Sequence, residues 1–359
     1  IDLKLRDAKL SEFQQRIIEA CTEKDFMLVG AGDVFDDTGQ KNRLACGLPS
    51  IAGYFVTANA EAADLAVEPL PNPSTGYPMG DYRFLTNKFP DSGKAVGVIT
   101  GNVATTESQS AKWIEAAKSL GATIVYNQTY NALGEPTWRP FAEAIKNAGV
   151  KGLHYTGEPA NLAKLVQAFA DINYKLDWLL TEPNNYDPTL LTAGTAADGT
   201  YIHSAFYPML DPEVAKKNPA TRDYLDMMDQ YNHGGKIALL GAQSMSSWLL
   251  FATAVKECGA DVTRDCVYAK ALEPTKWTAG GLHIPADVKD KKQPDCYALI
   301  QVKDAKFSLD TDVKATPGNA PYNCNAANIV PLKANYGTGE KCPNPAYATD
   351  PKPSTCANK

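Results

Sequence analysis

The chain has 359 residues and a mass of 38.7 kDa, more than one small domain needs, and at roughly 100–200 residues per domain it is expected to hold two. Lys+Arg 35 against Asp+Glu 41 gives a formal net charge of −6 and a pI near 5.4, and a mildly acidic chain without a basic stripe is a poor binder of nucleic acid or anionic lipid. No run reaches the roughly 18 uncharged apolar residues of a membrane span, and the start Ile-Asp-Leu-Lys-Leu already reads as a strand, so a signal peptide is absent from this sequence.

In chain order, Leu3 to Leu5 reads as the first strand. Ser11 to Cys21 opens on a Ser cap and sets Phe13, Ile17 and Ile18 on one face, a helix. Phe26 to Val29 is a buried strand ending at Gly30-Ala31-Gly32-Asp33, and the Pro-rich stretch Pro69 to Pro78 is expected as a surface loop. Ala95 to Thr100 is a strand, Ser108 to Leu120 a helix and Thr123 to Tyr126 a strand. Phe141 to Ala148 is helical, Gly152 to Tyr155 a strand, Ala160 to Asp171 a helix and Trp178 to Leu180 a strand. Strands alternating with helices of this length predict βαβ units, a parallel sheet and right-handed crossovers. After Tyr201 the rhythm changes to two longer helices, Asn218 to Gln230 and Ser244 to Cys258. A short helix near Cys266 to Leu272, a turn at Gly280-Gly281 and a strand from Tyr297 to Val302 follow. From about Thr311 the composition shifts to Pro, Asn, Gly and Ala with three cysteines, an ordered loop region stapled by disulfides.

The eight cysteines are Cys21, Cys46, Cys258, Cys266, Cys296, Cys324, Cys342 and Cys356. None forms Cys-x-x-Cys, and the four histidines lie far from any cysteine pair, which argues against a structural zinc. Four disulfides in an exported protein is the better reading. Proximity suggests Cys21–Cys46, Cys258–Cys266, Cys296–Cys324 and Cys342–Cys356, although eight cysteines allow about 105 pairings.

Gly30-x-Gly32 after a strand suggests a dinucleotide fingerprint, but the third glycine and the immediate helix are missing and Asp33, Asp36 and Asp37 would repel phosphate. In open α/β sheets ligands bind at the carboxyl ends of strands, so Asp33, Asp36 and Asp37 stay candidate site residues, the first two as ligand contacts. No Gly-x-Ser-x-Gly elbow or His-Glu-x-x-His occurs. Glu158 and Glu182 follow two consecutive strands and can reach one crevice, where binding an ammonium or hydroxyl demands less than the fixed separation of a glycosidase pair. Aromatics recur after strands, and Tyr54, Tyr155 and Phe206 are candidates for the wall of an apolar pocket. No cofactor is expected.

The order of motifs brings a resemblance into view. Gly93-Lys94-Ala95-Val96-Gly97-Val98-Ile99, then a polar loop and helix, then Ser119-Leu120-Gly121-Ala122, resembles the second-lobe entry of the type I periplasmic binding proteins. Gly199-Thr200-Tyr201 resembles that family's Ala-x-Gly-Val element, and the helix ending Ala252-Thr253-Ala254-Val255-Lys256-Glu257-Cys258-Gly259 its long helix near the hinge. The likeness runs from about Ile1 to Val302 and is nearest to the Leu/Ile/Val-binding proteins of ABC importers.

The resemblance implies a two-lobed α/β fold, each lobe a mostly parallel sheet flanked by helices, with a ligand trapped by hinge closure and no catalysis. The implied division is 1–92 plus about 208–262 for lobe 1, 93–207 plus about 263–305 for lobe 2, and 306–359 as a disulfide-stapled C-terminal extension. Matched by position, the ligand-binding places are the Gly30–Asp37 loop, Ile51 to Phe55, Thr105, Glu158, Glu182 and, near the hinge, Gln243. In amino-acid binders of this family an acidic side chain placed like Glu182 holds the α-ammonium, a charge-assisted pair in a dry cleft. The partners implied are a small-molecule ligand and the membrane permease of an ABC importer, and the implied protein is an extracytoplasmic monomer, at the periplasm or cell surface, with a lipid anchor outside this sequence as one option.

Two departures stand out. The family holds the ligand's α-carboxylate with a Ser/Thr-rich first-lobe loop, whereas this loop has no hydroxyl before Thr38, so a cationic, amide or hydroxylated ligand suits its aspartates better. The family also begins with a strand and helix ahead of the Ile1–Leu5 strand, so either the sequence is truncated or the first lobe is completed otherwise. A secreted α/β hydrolase using Glu158 and Glu182 is the alternative from another class, and the ligand-sensing domain of a receptor is a third.

Overall fold

The alternation Ile1, Leu3, Leu5 makes a strand only if a neighbour covers its apolar side, and here none does. In the computed structural model, which describes residues 1–342 and Cys356, residues 1–8 have no regular structure, and Ile1 and Leu5 are 101% and 89% exposed. The expected strand at Leu3 to Leu5 is therefore corrected. Lys4 and Arg6 tie the segment to the surface instead, through Glu23 Oε2 at 2.8 Å and Asp25 Oδ2 at 2.5 Å.

The first packed unit is small. Helix α1 (Phe13–Thr22) buries Phe13, Ile17 and Ala20, and its cap is Glu12 rather than the expected Ser11. Then come β1 (Leu28–Val29), α2 (Gln40–Ala45), β2 (Ser50–Ile51), α3 (Ala58–Glu61) and β3 (Ala66–Val67). The three strands form a parallel sheet in the order β1-β2-β3. Arg43 on α2 is 1% exposed and ties the turns that feed the strands, donating to the carbonyls of Leu48, Asp64 and Leu65 at 2.9–3.0 Å.

The second unit is large. It opens with β4 (Gly76–Pro78) and α4 (Gly80–Lys88), where a surface loop was expected up to Pro78; β4 forms because Tyr77 is buried and the tail returns to pair with it. The βαβ run is β5 (Val96–Gly101), α5 (Ala104–Ser119), β6 (Ile124–Tyr130), α6 (Arg139–Asn147), β7 (Gly152–Thr156), α7 (Pro159–Asp171), β8 (Trp178–Thr181) and β9 (Thr200–Ser204). The helices α8 (Pro212–Ala215), α9 (Pro219–Tyr231), α10 (Leu239–Cys258) and α11 (Arg264–Ala271) follow, and then the strands β10 (Cys296–Lys303), β11 (Lys306–Leu309), β12 (Asn323–Cys324) and β13 (Ile329–Pro331). The large sheet runs β11-β10-β9-β8-β7-β5-β6; β9, β8, β7, β5 and β6 are parallel, and β10 is antiparallel to β9, β11 and β12.

Its strands read as continuous apolar runs because helices cover both faces. Ile99, Leu153, Tyr155 and Ile202 meet α6 and α7 on one face, and Val98, Leu180 and Tyr201 meet Tyr82 and Trp113 from α4 and α5 on the other. Packing divides the chain differently from the expected boundaries. Helix α4 lies on the large sheet, Tyr224 of α9 joins its other core, and Val267 and Ala271 of α11 join Ile51 and Val67 of the small sheet. We propose that lobe 1 holds the first packed unit, α1 to β3, with α10 and α11, and lobe 2 the rest up to β13. Helix α10 begins in one core, at Leu239 and Ala242, and ends in the other, at Leu250 and Ala254.

All four cysteine pairs suggested by proximity are disulfide-bonded: Cys21–Cys46, Cys258–Cys266, Cys296–Cys324 and Cys342–Cys356. The tail is a strap across both lobes: Asn323 and Cys324 pair with β10, Tyr336 donates to Glu115 of α5 at 2.7 Å, and Glu340 bonds Asn59 and Asp64 through its backbone. The rest of the expected extension, residues 343–355 and 357–359, lies outside the described residues. Among the described residues no helix is long and apolar enough to cross a membrane.

Candidate functional site

Parallel strands end on the same side, so the loops after β1, β2, β3, β7 and β8 converge on the crevice between the lobes. A cavity of about 200 Å³ lies there, below the roughly 300–1,000 Å³ of pockets for drug-sized ligands. Lobe 1 lines it with Val34, Tyr54, Phe55 and Glu68, and lobe 2 with Tyr77, Asp81, Trp113, His154, Glu158 and Glu182.

The deepest part is a polar network on an aromatic floor. Glu182 Oε1 accepts from the Tyr77 hydroxyl at 2.7 Å and lies 3.1 Å from His154 Nε2, and Glu182 Oε2 accepts from Gln109 Nε2 at 3.0 Å. His154 stacks on Trp113 with centroids 4.0 Å apart and planes 2° off parallel. Burial pushes the Glu182 carboxyl up, but His154, Tyr77 and Gln109 outweigh it and hold it below the usual range. A second pair, His203 Nδ1 and Asp81 Oδ2 at 3.1 Å, sits beside it, with His203 stacked on Tyr297.

The other carboxyls behave differently. Burial, then the nearby Asp187, raises Glu158 above its ordinary value. Glu68 is 8% exposed and burial pushes it up to about 8, although two backbone N–H groups pull it down. Burial pushes Asp36 up to about 6 against three hydrogen bonds from Val56 and Thr57. Lys112 is the buried cation behind this wall; its Nζ donates to Val56 O at 2.8 Å and to Ser74 Oγ at 3.4 Å.

Of the residues singled out in the sequence, Tyr54, Thr105, Glu158, Glu182 and Gln243 line the cavity. Thr105 also closes the lobes on each other, giving its N–H and its hydroxyl to Val34 O at 3.2 and 3.1 Å. Tyr54 lies so close to Gly32 that a Cβ there would collide with its ring. Four residues do not line the cavity. Asp33 caps its own loop through Phe35 N–H at 2.8 Å, and Asp36 holds the loop after β2. Tyr155 faces the α7 core, shares a 2.6 Å hydrogen bond with Tyr130 and donates to Glu158 O at 2.8 Å, so it fixes the backbone of Glu158. Phe206 packs on His283 where two crossover segments pair, between the cavity residues Ala205 and Ile284.

Glu68, Tyr77, Asp81, Trp113, His154 and His203 were not singled out from the sequence. Glu68 follows β3 as Asp33 follows β1, so the strand-end rule could have found it. Strand parity places His154 on the face opposite Leu153 and Tyr155, toward α5, which was a second available signal. Among the described residues no group of three or more His, Cys, Asp or Glu side chains is placed to hold a metal ion.

A profile of the family described as periplasmic binding protein matches residues 74–306. No curated protein matches. Among solved structures, a leucine-binding protein from Thermotoga maritima superposes with a TM-score of 0.67 at 13% identity, over 84% of this chain and 85% of that one. A branched-chain amino acid ABC transporter protein from Thermus thermophilus with bound valine gives 0.66 at 15% identity, over 84% and 82%. An extracellular ligand-binding receptor from Rhodopseudomonas palustris HaA2 gives 0.68 at 14% identity, over 84% and 87%. At these identities the likeness is one of fold, the two-lobed fold described above.

Proposed function

The chain belongs to the periplasmic binding protein family, and we propose that it captures a small polar solute, an amino acid or a related amine, amide or hydroxylated metabolite, between its lobes outside the cytoplasm and hands it to the permease of an ABC importer. The observation that carries this reading is the small cavity walled by loops of both lobes, with charged groups at its floor and aromatic rings around them. Four disulfides fit an oxidising compartment. Leucine and valine appear in the names of structural neighbours, which supports an amino acid-sized solute.

A thermal-shift screen of the oxidised chain against amino acids, amines, amides, sugars and small acids tests it. A solute at about 1,000 times its dissociation constant adds roughly 4 kcal/mol, so one chemically coherent class is expected to raise the melting temperature by about 5 °C or more. A cooperative melt that no solute moves contradicts the reading. One observation favours the hydrolase alternative: Glu158 is raised and Glu182 lowered, as an acid and its partner would be. Against it, both Glu182 oxygens are already engaged by Tyr77, His154 and Gln109. Turnover of chromogenic glycosides by the wild-type chain, lost in Glu158→Gln, would favour the hydrolase.

A further inference from the structure

Backbone N–H groups at strand ends and helix N-termini are where a fold of this kind can hold an anion. Around this cavity the protein's own acceptors take several of them. Phe55 N–H donates to Glu68 Oε1 at 2.7 Å, and Asn72 N–H to Glu68 Oε2 at 3.2 Å. Val56 N–H donates to Asp36 Oδ2 at 2.6 Å, and Thr57 gives Asp36 its N–H at 3.3 Å and its hydroxyl at 2.6 Å. Across the cleft, in the first turn of α5, the N–H of Thr105 is spent on Val34 O. Two buried carboxyls thus take donors that an incoming carboxylate would otherwise use.

The groups left over include several acceptors. The Glu158 side chain lines the cavity and has no hydrogen bond or ion pair among the described residues. His154, 1% exposed, has an unpartnered Nδ1, and the Oε1 atoms of Gln109 and Gln243, which line the same cavity, are buried without partners. Among the described residues no lysine or arginine lines the cavity, and the ammonium of Lys112 behind it is spent on Val56 O and Ser74 Oγ. The remaining wall is apolar and aromatic, with Tyr54, Phe55, Tyr77 and Trp113 offering ring surface to a cation.

The geometry points to a ligand that brings hydrogen-bond donors and positive charge but no acid group: a compact organic amine with an apolar body, its ammonium at Glu158 and its body against the rings. This assignment rests on the reading of the cavity as a solute site. It goes against the amino acids named for the structural neighbours, because an α-carboxylate would meet Glu68 and, among the described residues, no lysine or arginine on the cavity wall.

The test is isothermal titration of the full, oxidised chain with matched probes that differ only in their charged group: 3-methylbutylamine, leucine and 4-methylpentanoate, then phenethylamine, phenylalanine and 3-phenylpropanoate. In at least one set the amine is expected to bind 10-fold or more tightly than the amino acid, with no measurable binding of the acid. Glu158→Gln, at a side chain with no internal partner to lose, is expected to weaken the amine by at least 10-fold while its unliganded melting temperature stays within about 2 °C of wild type. An amino acid or acid that binds as tightly as its matched amine overturns the amine assignment and leaves the solute site standing. No binding by any of the six, together with a flat thermal-shift screen, overturns both.

Discussion

Replacing Arg43 with alanine is expected to destabilise the chain by about 4 kcal/mol or more, the largest stability effect of any single side chain in lobe 1. Arg43 donates to Gln40 Oε1 at 2.9 Å, to Leu48 O and Leu65 O at 3.0 Å and to Asp64 O at 2.9 Å, all in a nearly water-free setting. Burial lowers the guanidinium to about 10, so it keeps its charge at neutral pH. Alanine would strand these acceptors, each costing roughly 1–3 kcal/mol when buried without a partner, and would leave a cavity besides. The effect reaches the cleft, because Gln40 Nε2 in turn holds Asp36 O at 2.7 Å. Thermal melts of the wild type and Arg43→Ala should differ by about 10 °C, and a difference under about 2 °C would show that these bonds are not what joins α2 to the small sheet.

The second large effect is expected on binding. Glu182→Gln keeps the shape of the side chain but removes its charge, and one half of the new amide can no longer accept from the Tyr77 hydroxyl, His154 or Gln109. Removing one partner from a buried, hydrogen-bonded charge set costs roughly 2–5 kcal/mol, so affinity for the solute that best stabilises the wild type should fall by about 30-fold or more. Tyr77→Phe removes one neutral hydroxyl, which donates to Glu182 and accepts from Gln109 Nε2, and should cost less, about 1 kcal/mol. Calorimetric titration of the three proteins gives the order directly, and equal affinities would place the solute away from the Glu182 floor.

Much of this architecture could be read from the chain. Strands buried on both faces read as apolar runs, Val96 to Thr100 and Trp178 to Leu180, and the helices between them fell within a few residues of expectation. The start failed because alternation alone does not supply a neighbour: Ile1, Leu3 and Leu5 have a strand's pattern and no strand beside them. Pro69 to Pro78 was misjudged because its composition resembles a loop, while Tyr77 inside it is buried under Glu182. At the site, position after a strand singled out Glu158 and Glu182, and both line the cavity. It failed for Tyr155 and Phe206 because an aromatic ring satisfies a core as well as a cleft, and strand parity turned Tyr155 toward α7. Asp33 and Asp36 were singled out by charge, yet they serve the loop backbone. That role depends on which N–H groups come near them, and sequence spacing does not encode it.

The most direct test of a solute site between the lobes is a crystal structure of the chain grown with the solute that raises its melting temperature most. One molecule is predicted per chain, enclosed by Tyr54, Glu158, Trp113 and Glu182, with a donor nitrogen about 3 Å from a Glu158 oxygen. A solute bound only on the outer surface, with this cavity holding water alone, would contradict the account.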